Sequence, residues 1–316
     1  MRRFSVILST FAILLSGCNQ SHFVLTDRVF SFDTWVRFNL YEGNEQNVKE
    51  VKDIIKLIDK LTDNYSQRDI DNVYTINNTS DEVFVGERLY GLLKFVSEFE
   101  GAEYYNYLVG SLSKKWKEAL ADNRVLDEQT IHSELKKIEN TSLTFTYDYT
   151  VQKTGDAEID LGGVAKGYLL DELQTYFRKN SIEHYLVDAG SSSVLLGKKI
   201  TTDGLFEVDL KDLPGSYLKL SNCFISTSGI SEQGVKIDGV TYSHIVNPTT
   251  GSVINKHDTV IVISKIGING DIFSTSFMMS DLAEIQDAEK KYGLETIVID
   301  NGKIVYSHPE IKVYKR

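Results

Sequence analysis

The stretch "EIDLGGVAKGYLLDEL", residues 158–173, constrains the fold most, because it joins a strand-like segment to an amphipathic helix through glycines. "AEID" is typical of a strand end, and "AKGYLLDELQTYFRKN" is typical of a helix. Gly162 and Gly163 predict the turn between them. Gly167 predicts close approach of a neighbouring backbone, since glycine has no Cβ. Turns of this kind often hold phosphate groups with backbone N–H groups, but they also occur without any ligand.

The helix after this turn carries one lysine in its first turn. Lys166 adds positive charge where the helix dipole is already positive, an arrangement that favours a bound anion. The stretch contains neither the G-x-x-x-x-G-K-[ST] pattern of a P-loop nor the G-x-G-x-x-G order of a dinucleotide-binding turn. The residues alone leave a phosphate site and a purely structural turn equally open. The residues predicted to face inward are Leu169, Leu170, Leu173 and Phe177.

The acidic charge of the chain argues against a nucleic-acid partner. The 316 residues include 34 basic and 45 acidic side chains, so the net charge is −11. Without residues 1–17, which include Arg2 and Arg3, the net charge becomes −13. A phosphate backbone would repel such a chain. The 41% of hydrophobic residues is enough for a sizeable core in one large or two smaller domains.

The N-terminus has the pattern of a targeting segment. Arg2 and Arg3 precede the apolar run "FSVILSTFAILL", which is too short for a permanent membrane span. The ending "LSGC" resembles the lipobox of bacterial lipoproteins, which implies cleavage before Cys18 and its lipidation. A conventional signal peptide with an incidental cysteine is the alternative. The lipobox interpretation predicts a signal peptide at 1–17, a short tether at 18–27, a domain at 28–316, and a lipid-anchored protein on the extracytoplasmic face of a bacterial membrane.

Only one other cysteine is present. If Cys18 is lipidated, Cys223 has no partner for an intrachain disulfide. It lies in the strand-like "NCFIST" and is expected to be a small core residue.

The pattern of apolar residues predicts an α+β fold with a helix-rich N-terminal lobe and a C-terminal lobe rich in antiparallel sheet. The N-terminal half contains the strand-like "SFDTWVRFNLYEG" and the helix-like "EQNVKEVKDIIKLIDKLTDNY", "GERLYGLLKFVSEFEG" and "DEQTIHSELKKIEN". The second half contains the strand-like "EHYLVDAG", "SSVLLG", "LFEVDL", "SYLKLS" and "TVIVIS". Asp238-Gly239 and Asn301-Gly302 are typical of hairpin turns.

A second motif is "YSHIVNPTTGSVIN", which follows the first hairpin. His244 is predicted near the end of a strand, beside a loop that Pro248 and Gly251 make irregular. A histidine in that place is suited to proton transfer. One of six histidines in a chain is, however, more often a surface or hydrogen-bonded structural residue.

The third motif is "NGDIFSTSFMMSDLAE". If a helix begins there, Asp271 and Thr275 point to one side of its first turn, because they are four residues apart. A carboxylate and a hydroxyl suit a hard cation such as Mg²⁺. The alternative is that Asp271 is only the N-cap of the helix and Thr275 lies on the surface.

The three motifs occur together in an order that resembles the ApbE family of FAD:protein FMN transferases. The resemblance covers almost the whole mature chain. The motifs that carry it are D-L-G-G-x-A-K-G, H-x-x-x-P-x-T-G and a late D-x-x-x-T. Further segments that carry it are "FSFDTWVRF", "SEFEGAEYYNYLVGSLSKKW", "LVDAGSSSVLLG" and "STSG".

The resemblance implies Mg²⁺-dependent cleavage of the FAD diphosphate, with transfer of FMN to a threonine or serine hydroxyl of an acceptor protein and release of AMP. It implies a site in the cleft between the lobes and a membrane-associated electron-transport flavoprotein as acceptor. The implied general base is His244. The implied flavin and nucleotide contacts are Asp160, Lys166, Phe32, Tyr104, Tyr105, Asn106 and Ile245. The implied metal ligands are Gly163, Asp271, Ser274 and Thr275.

Two segments depart from the family pattern. "YYNYLVGSL" has Asn106 and Ser111 where the family usually has aspartate and proline, and Phe32-Asp33-Thr34 replaces an "MGT" motif. Both departures concern the nucleotide pocket rather than the metal or the histidine, and the added aromatic rings could stack on FAD. Three alternatives stay open: an FAD pyrophosphatase that uses water as nucleophile, a flavin-binding lipoprotein without chemistry, and a structural lipoprotein.

Overall fold

An eight-stranded antiparallel sheet organises the molecule, with strand order β1-β2-β6-β7-β10-β13-β14-β15. The structure is a computed structural model that describes residues 24–230 and 234–316. The strands of this sheet are β1 Leu25–Ser31, β2 Thr34–Leu40, β6 Tyr185–Ala189, β7 Ser193–Leu196, β10 Cys223–Gly229, β13 Thr259–Ser264, β14 Glu295–Asp300 and β15 Lys303–Ser307.

Three smaller sheets and eight helices complete the described residues. The small sheets pair β3 Val83–Phe84, β5 Thr150–Thr154 and β4 Ser142–Phe145; β16 Tyr314–Lys315, β9 Ser216–Leu220 and β8 Phe206–Asp209; and β11 Val235–Ile237 with β12 Val240–Tyr242. The helices are α1 Glu45–Thr62, α2 Val73–Asn77, α3 Gly86–Ser97, α4 Gly110–Ala121, α5 Glu128–Glu139, α6 Ala165–Lys179, α7 Gly267–Ser276 and α8 Leu282–Tyr292.

The α+β prediction is confirmed, and the large sheet joins the two halves of the chain. Strands β1 and β2 come from the N-terminus, yet β2 pairs with β6 and so continues the sheet of the C-terminal half. Strand β13 is buried on both faces, because Val260 and Val262 enter the main core while Ile261 and Ile263 enter a second core with Phe206 of β8. Residues that alternate along a strand point to opposite faces. The sheet is therefore a layer between the helices and the small sheet of β8 and β9.

The predicted α1 and both hairpins are confirmed. The apolar face of α1 is buried at Val48, Val51, Ile55, Ile58 and Leu61. Asp238 and Gly239 have φ of 47° and 84°, and Asn301 and Gly302 have φ of 50° and 68°. These left-handed conformations are those that Asp-Gly and Asn-Gly turns favour in two-residue hairpins.

Several sequence boundaries are corrected. Helix α3 ends at Ser97 rather than near Gly101. "SFDTWVRFNLYEG" is not one strand, because a turn at Phe32 and Asp33, each with φ of 55°, separates β1 from β2. Residues 25–27, which the sequence analysis assigns to the tether, are paired with β2 in strand β1. Helix α4, in "GSLSKKWKEALA", is not anticipated by the sequence analysis.

The N-terminal predictions lie outside the described residues. Cys18 and the signal peptide belong to residues 1–23, so lipidation stays a prediction. Within residues 24–230 and 234–316, no helix combines the length and hydrophobicity that a membrane crossing requires. Cys223 is buried as expected, and burial raises the pKa of its thiol to about 12.

Helices α6 and α7 cross where two glycines meet. A Cβ at Gly167 would lie less than 3.0 Å from the backbone oxygen of Gly267, and the reverse substitution would meet the Gly167 oxygen equally closely. The crossing therefore has no space for a side chain on either helix. The expected close backbone approach at Gly167 is confirmed.

We expect Gly167→Ala to lower the free energy of unfolding by about 1–3 kcal/mol or more, because the added methyl group forces the two backbones apart. Gly91→Ala is the matched control, since Gly91 lies inside α3 with no atom within 4 Å of the added Cβ. That change should be neutral or should stabilise by about 0.5–1 kcal/mol through helix propensity. Urea denaturation of both variants measures the difference. Equal stability of the two variants would contradict the tight crossing.

Candidate functional site

The centre of the site is the carboxylate of Asp271, which is buried in α7. Its Oδ2 accepts a hydrogen bond from the Gly167 backbone N–H at 2.6 Å. Its Oδ1 accepts from the hydroxyls of Ser193 and Ser226, each at 2.8 Å. Burial raises the pKa of Asp271, while the Lys166 charge and these three hydrogen bonds oppose the rise. The late aspartate motif and the glycine motif are thus in direct contact.

A second carboxylate links the same two helices, but here the acceptor is on α6 and the donors are on α7. Asp171 of α6 accepts from the backbone N–H groups of Gly267 at 2.7 Å and Ile268 at 2.9 Å, the first two residues of α7. The N-cap residue Ile266 offers no side-chain hydrogen bond of its own. The carboxylate of Asp171 therefore supplies from another helix the cap that α7 lacks.

The N-cap interpretation of Asp271 is wrong, because α7 begins four residues before it. Asp271 lies in the second turn of α7 rather than the first, and Thr275 follows it by four residues on the same face. Ser274 is buried, and its hydroxyl donates to the backbone oxygen of Asp271 at 3.3 Å. Ser228 of β10 lies 3.2 Å from the Ser274 hydroxyl and 3.4 Å from the Thr275 hydroxyl. The three predicted side-chain metal ligands therefore share one helix face.

The glycine turn places Asp160 and Gly163 at the start of α6. The Asp160 Oδ1 accepts from the Gly162 N–H at 2.7 Å, and the Tyr105 hydroxyl donates to the backbone oxygen of Asp160 at 3.3 Å. Burial raises the pKa of Asp160, against the hydrogen bond from Gly162 and the charge of Lys114. A Cβ on Gly163 would lie 3.4 Å from the Tyr105 ring. The structure therefore brings Asp160, Gly163 and Tyr105 together, and their roles as nucleotide contacts and metal ligand stay predictions.

Lys166 connects the glycine turn to the tip of the β6–β7 hairpin. Its Nζ donates to the hydroxyl of Ser192. The next residue, Ser193, is one of the hydrogen-bond donors to Asp271. Lys166 and Asp271 are thus held by adjacent residues of the same hairpin.

The other predicted contacts divide between pocket and scaffold. Tyr104 packs on Phe273, with ring centroids 5.3 Å apart. The Asn106 Oδ1 accepts from the Leu108 N–H at 2.9 Å, which closes its own loop. Phe32 lies in the β1–β2 turn, and its N–H donates to Asp59 at 2.8 Å. Ile245 is buried in the main core. Tyr104, Asn106 and Ile245 therefore have structural contacts of their own, which a role in flavin binding has to accommodate.

His244 lies on the loop after β12, between the buried residues Ser243 and Ile245, and is itself exposed. The hydrogen bonds of Asp271 and Lys166 described above involve other residues. The structure thus confirms the predicted position after a strand. Its role as a base stays a prediction.

Sequence analysis missed Tyr65, an exposed ring on the loop between α1 and α2. Burial of its hydroxyl and the charges of Asp160 and Asp33 raise the pKa of Tyr65. Lys114 and Lys117 lie 5.6 Å and 5.5 Å from the centroid of its ring. The signal available was an aromatic residue in a polar loop, "DNYSQRD", but only tertiary structure shows that it neighbours the glycine turn.

The predicted cleft between two lobes remains a prediction. Two surface depressions of the described part of the chain lie elsewhere, one along Lys199–Glu207 and one between α6 and the Asn222 turn. Neither is lined by a predicted site residue.

The residues around Asp271 fit a magnesium ion. An ionised carboxylate has about four lone-pair positions, and three protein donors leave one for a further ligand. Ser274 and Thr275, on the same helix face, add only hydroxyl oxygens, the kind of ligand that Mg²⁺ prefers. Among residues 24–230 and 234–316 no group of three or more His, Cys, Asp or Glu side chains could hold a metal, so a cation here depends on hydroxyl and carbonyl ligands. It would also compensate a buried negative charge.

Comparison with known proteins identifies relatives of this chain. The sequence model of the ApbE family matches residues 32–298. A FAD:protein FMN transferase of Klebsiella pneumoniae is 32% identical over 177 residues, which cover 54% of this chain and 55% of the relative. One of Treponema pallidum is 26% identical over 221 residues, which cover 62% of this chain and 61% of the relative. The chain therefore spans less than two thirds of the length of these curated relatives.

A solved structure supports the same fold over more of the chain. The crystal structure of the ApbE protein from Thermotoga maritima has a TM-score of 0.74 to this chain at 25% identity. The match covers 90% of this chain and 97% of that one.

The cap by Asp171 predicts a pH dependence of stability. Burial raises the pKa of Asp171 to about 6 from an ordinary value of 3.8. Between these values the folded chain holds a proton that the unfolded chain releases, so the carboxyl's contribution to stability falls as pH rises from about 4 to about 6. Asp171→Asn removes this titration. Urea denaturation at several pH values gives the free energy of unfolding of both proteins. The value for wild type minus the value for the variant should decrease as the pH rises from about 4 to about 6.

Glu172→Gln is the control, because it removes the next charge on the same helix, one that pairs with Arg88 at 2.7 Å. Parallel profiles of wild type and Asp171→Asn between pH 4 and pH 6 would show that Asp171 does not titrate in this range.

Proposed function

This chain belongs to the ApbE family, and we propose that it transfers FMN from FAD to a threonine or serine hydroxyl of an acceptor protein, releasing AMP. The observation that carries the proposal is the hydrogen bond from Gly167 to Asp271, which joins the glycine motif to the predicted metal ligands. The relatives from Klebsiella pneumoniae and Treponema pallidum are named FAD:protein FMN transferases. A cationic lysine and a buried carboxylate on one structural unit suit a diphosphate substrate.

In the proposed reaction the acceptor oxygen attacks the FMN phosphorus. The new bond joins that oxygen to phosphorus, and the diphosphate P–O bond breaks with its electron pair leaving on AMP. Lys166 contributes a point charge to the diphosphate oxygens and lies beside the Ser192 hydroxyl that orients its Nζ. His244 takes the proton of the acceptor hydroxyl, which is a poor nucleophile at neutral pH.

The residues of the glycine turn bind the rest of the nucleotide. A carboxylate repels phosphate, so Asp160 suits a hydroxyl or N–H donor of FAD rather than its diphosphate. Tyr105 and Phe32 offer ring surface for the flavin or adenine. Tyr65, which neighbours Asp160 and Asp33, adds another exposed ring.

Mg²⁺ would be held by Asp271, Ser274, Thr275 and the Gly163 carbonyl, and when bound it would neutralise charge on the diphosphate. Asp271 is suited to this role because Ser193, Ser226 and Gly167 fix its orientation. Such supporting hydrogen bonds strengthen metal sites.

We place the enzyme on the extracytoplasmic face of a bacterial membrane, anchored by a lipid on Cys18. This placement rests on the lipobox-like "LSGC" of residues 15–18. The acceptor is then a flavoprotein of a membrane electron-transport system, which presents its hydroxyl within reach of the anchored domain.

The function is tested by mixing the chain with FAD, MgCl₂ and an acceptor domain, and by measuring acceptor mass and AMP. We expect a mass gain of one FMN per acceptor with one AMP released. His244→Ala should reduce the rate by about 10²–10⁴-fold, because a general base contributes that much. FMN and AMP without a mass gain would indicate FAD hydrolysis, and intact FAD would contradict enzymatic function.

The metal site is tested separately by Asp271→Asn, which keeps the side-chain size and removes the charge. We expect Mn²⁺ binding, followed by electron paramagnetic resonance without FAD, to weaken by at least about tenfold. Chelation with EDTA should stop transfer by wild type, and added Mg²⁺ should restore it. Asp287→Asn is the control, since this carboxylate of α8 is 81% exposed. Equal Mn²⁺ affinity in both variants would exclude Asp271 as a ligand.

A further inference from the structure

Within residues 24–230 and 234–316, no other layer packs on the large side chains of the outward face of the β1–β2 hairpin. Strand alternation sends Val29 and Val36 into the main core. In the part of the chain that the structure describes, the opposite face remains open. The same side of the neighbouring strand β6 is covered, because Leu186 packs into the second core with Phe206. We call four outward residues the aromatic–arginine face: Arg28, Phe30, Trp35 and Arg37.

Local contacts explain the composition of this face only in part, and they include an ion pair of Arg37 with Asp188 of β6 at 3.5 Å. Phe30 is 60% exposed and Trp35 is 39% exposed, and their rings meet edge to face with centroids 5.5 Å apart. Arg28 and Arg37 lie directly opposite each other in the strand register, where like charges destabilise a sheet. The Arg28 guanidinium lies 4.4 Å from the centroid of the Trp35 ring. Tryptophan and arginine are the residues most enriched at the energetic centres of protein interfaces.

The face ends at the proposed FAD site. Only the pair Ser31 and Thr34 separates the Phe30–Trp35 pair from the turn of Phe32 and Asp33. Thr34, at the end of that turn, touches Gly190 of the β6–β7 hairpin. The hydroxyl of Ser192, two residues later, accepts from Lys166. The other end of the β1–β2 hairpin, towards the N-terminus, carries the polar pair Thr26 and Asn39 instead. The exposed rings are therefore concentrated at the catalytic end.

We propose that the aromatic–arginine face is the docking surface for the acceptor protein. The inference rests on the proposed function, in which a polypeptide must bring its hydroxyl to the FMN phosphorus beside Lys166. The occupant we infer is a protein with apolar side chains and a carboxylate near its modifiable threonine or serine. Arg37 already pairs with Asp188 at 3.5 Å, so in a chain of net charge −11 it is Arg28, beside the Trp35 ring, that offers local attraction for that carboxylate.

The test measures steady-state transfer by the full-length chain with the double variant Phe30→Ala/Trp35→Ala and with Arg28→Glu. The probe is the soluble domain of a membrane flavoprotein that carries FMN on threonine. We expect the KM for this domain to rise at least about tenfold in both variants, as hot-spot truncation does. The kcat at saturating acceptor and the Kd for FAD, measured by flavin fluorescence, should stay within about twofold of wild type. A purely structural role would change the Kd for FAD and Tm instead.

Phe84→Ala is the matched control, because Phe84 of β3 is also an exposed phenylalanine, at 62%. It should leave the KM unchanged. An unchanged KM in the two face variants would overturn the proposal, as would a parallel loss of FAD affinity. The proposal would also be overturned if the variants changed only the binding of anionic lipid vesicles, because the occupant would then be a membrane. It would be overturned likewise if they changed only the oligomeric state, because the occupant would then be a second copy of the chain.

Direct binding of the unmodified acceptor domain separates this inference from the proposed function. If wild type transfers no FMN but binds the domain, and the double variant binds at least about tenfold more weakly, the proposed function fails and the docking surface stands. If wild type transfers FMN and all variants bind the domain equally, the docking surface fails and the function stands. If wild type neither transfers FMN nor binds the domain, both fail.

Discussion

Two carboxylates exchanged between α6 and α7 hold the site together. Asp171 of α6 accepts the first two N–H groups of α7, and Asp271 of α7 accepts the N–H of Gly167 in the first turns of α6. Each helix thus satisfies a backbone requirement of the other, and the glycine crossing lets both hydrogen-bonded contacts occur at once. A shift of either helix would leave buried N–H groups unpaired, which costs about 1–3 kcal/mol for each group. The position of the proposed metal ligands relative to Lys166 follows from this constraint.

The Asp271 carboxylate is buried, and the groups around it compensate its negative charge only in part. Asp271 is surrounded by Ser193, Ser226 and Gly167, which are neutral donors, and the nearby cation is Lys166. A fold that needed only a polar contact between helices could use a neutral side chain at lower cost. The proposed Mg²⁺ would complete this compensation.

The large sheet brings distant parts of the chain to one end. The β1–β2 turn, the β6–β7 turn and the N-terminal half of α6 meet there through Thr34, Gly190, Ser192 and Lys166. The inner side of this end holds the Asp271 cluster, while the outer side holds the exposed Phe30 and Trp35 rings. The proposed nucleotide site and the proposed acceptor face therefore lie on the two sides of one end of a single sheet.

The sequence by itself determined the turn and the helix of the glycine stretch, the apolar face of α1, and the Asp-Gly and Asn-Gly hairpins. These features depend on local periodicity and on glycine's access to positive φ, which neighbouring residues specify. It also predicted that Asp271 and Thr275 share a helix face, because that requires only helical spacing. The strand predicted at "AEID" is wrong, because β5 ends at Thr154 and residues 157–160 form no strand. Only the tertiary structure decided that α7 starts at Gly267, since its cap comes from Asp171, 96 residues away in sequence. The charge of Asp160 near Tyr65 and, within the described residues, the open outer face of β1–β2 were likewise decided by packing between segments far apart in the chain, which no local pattern encodes.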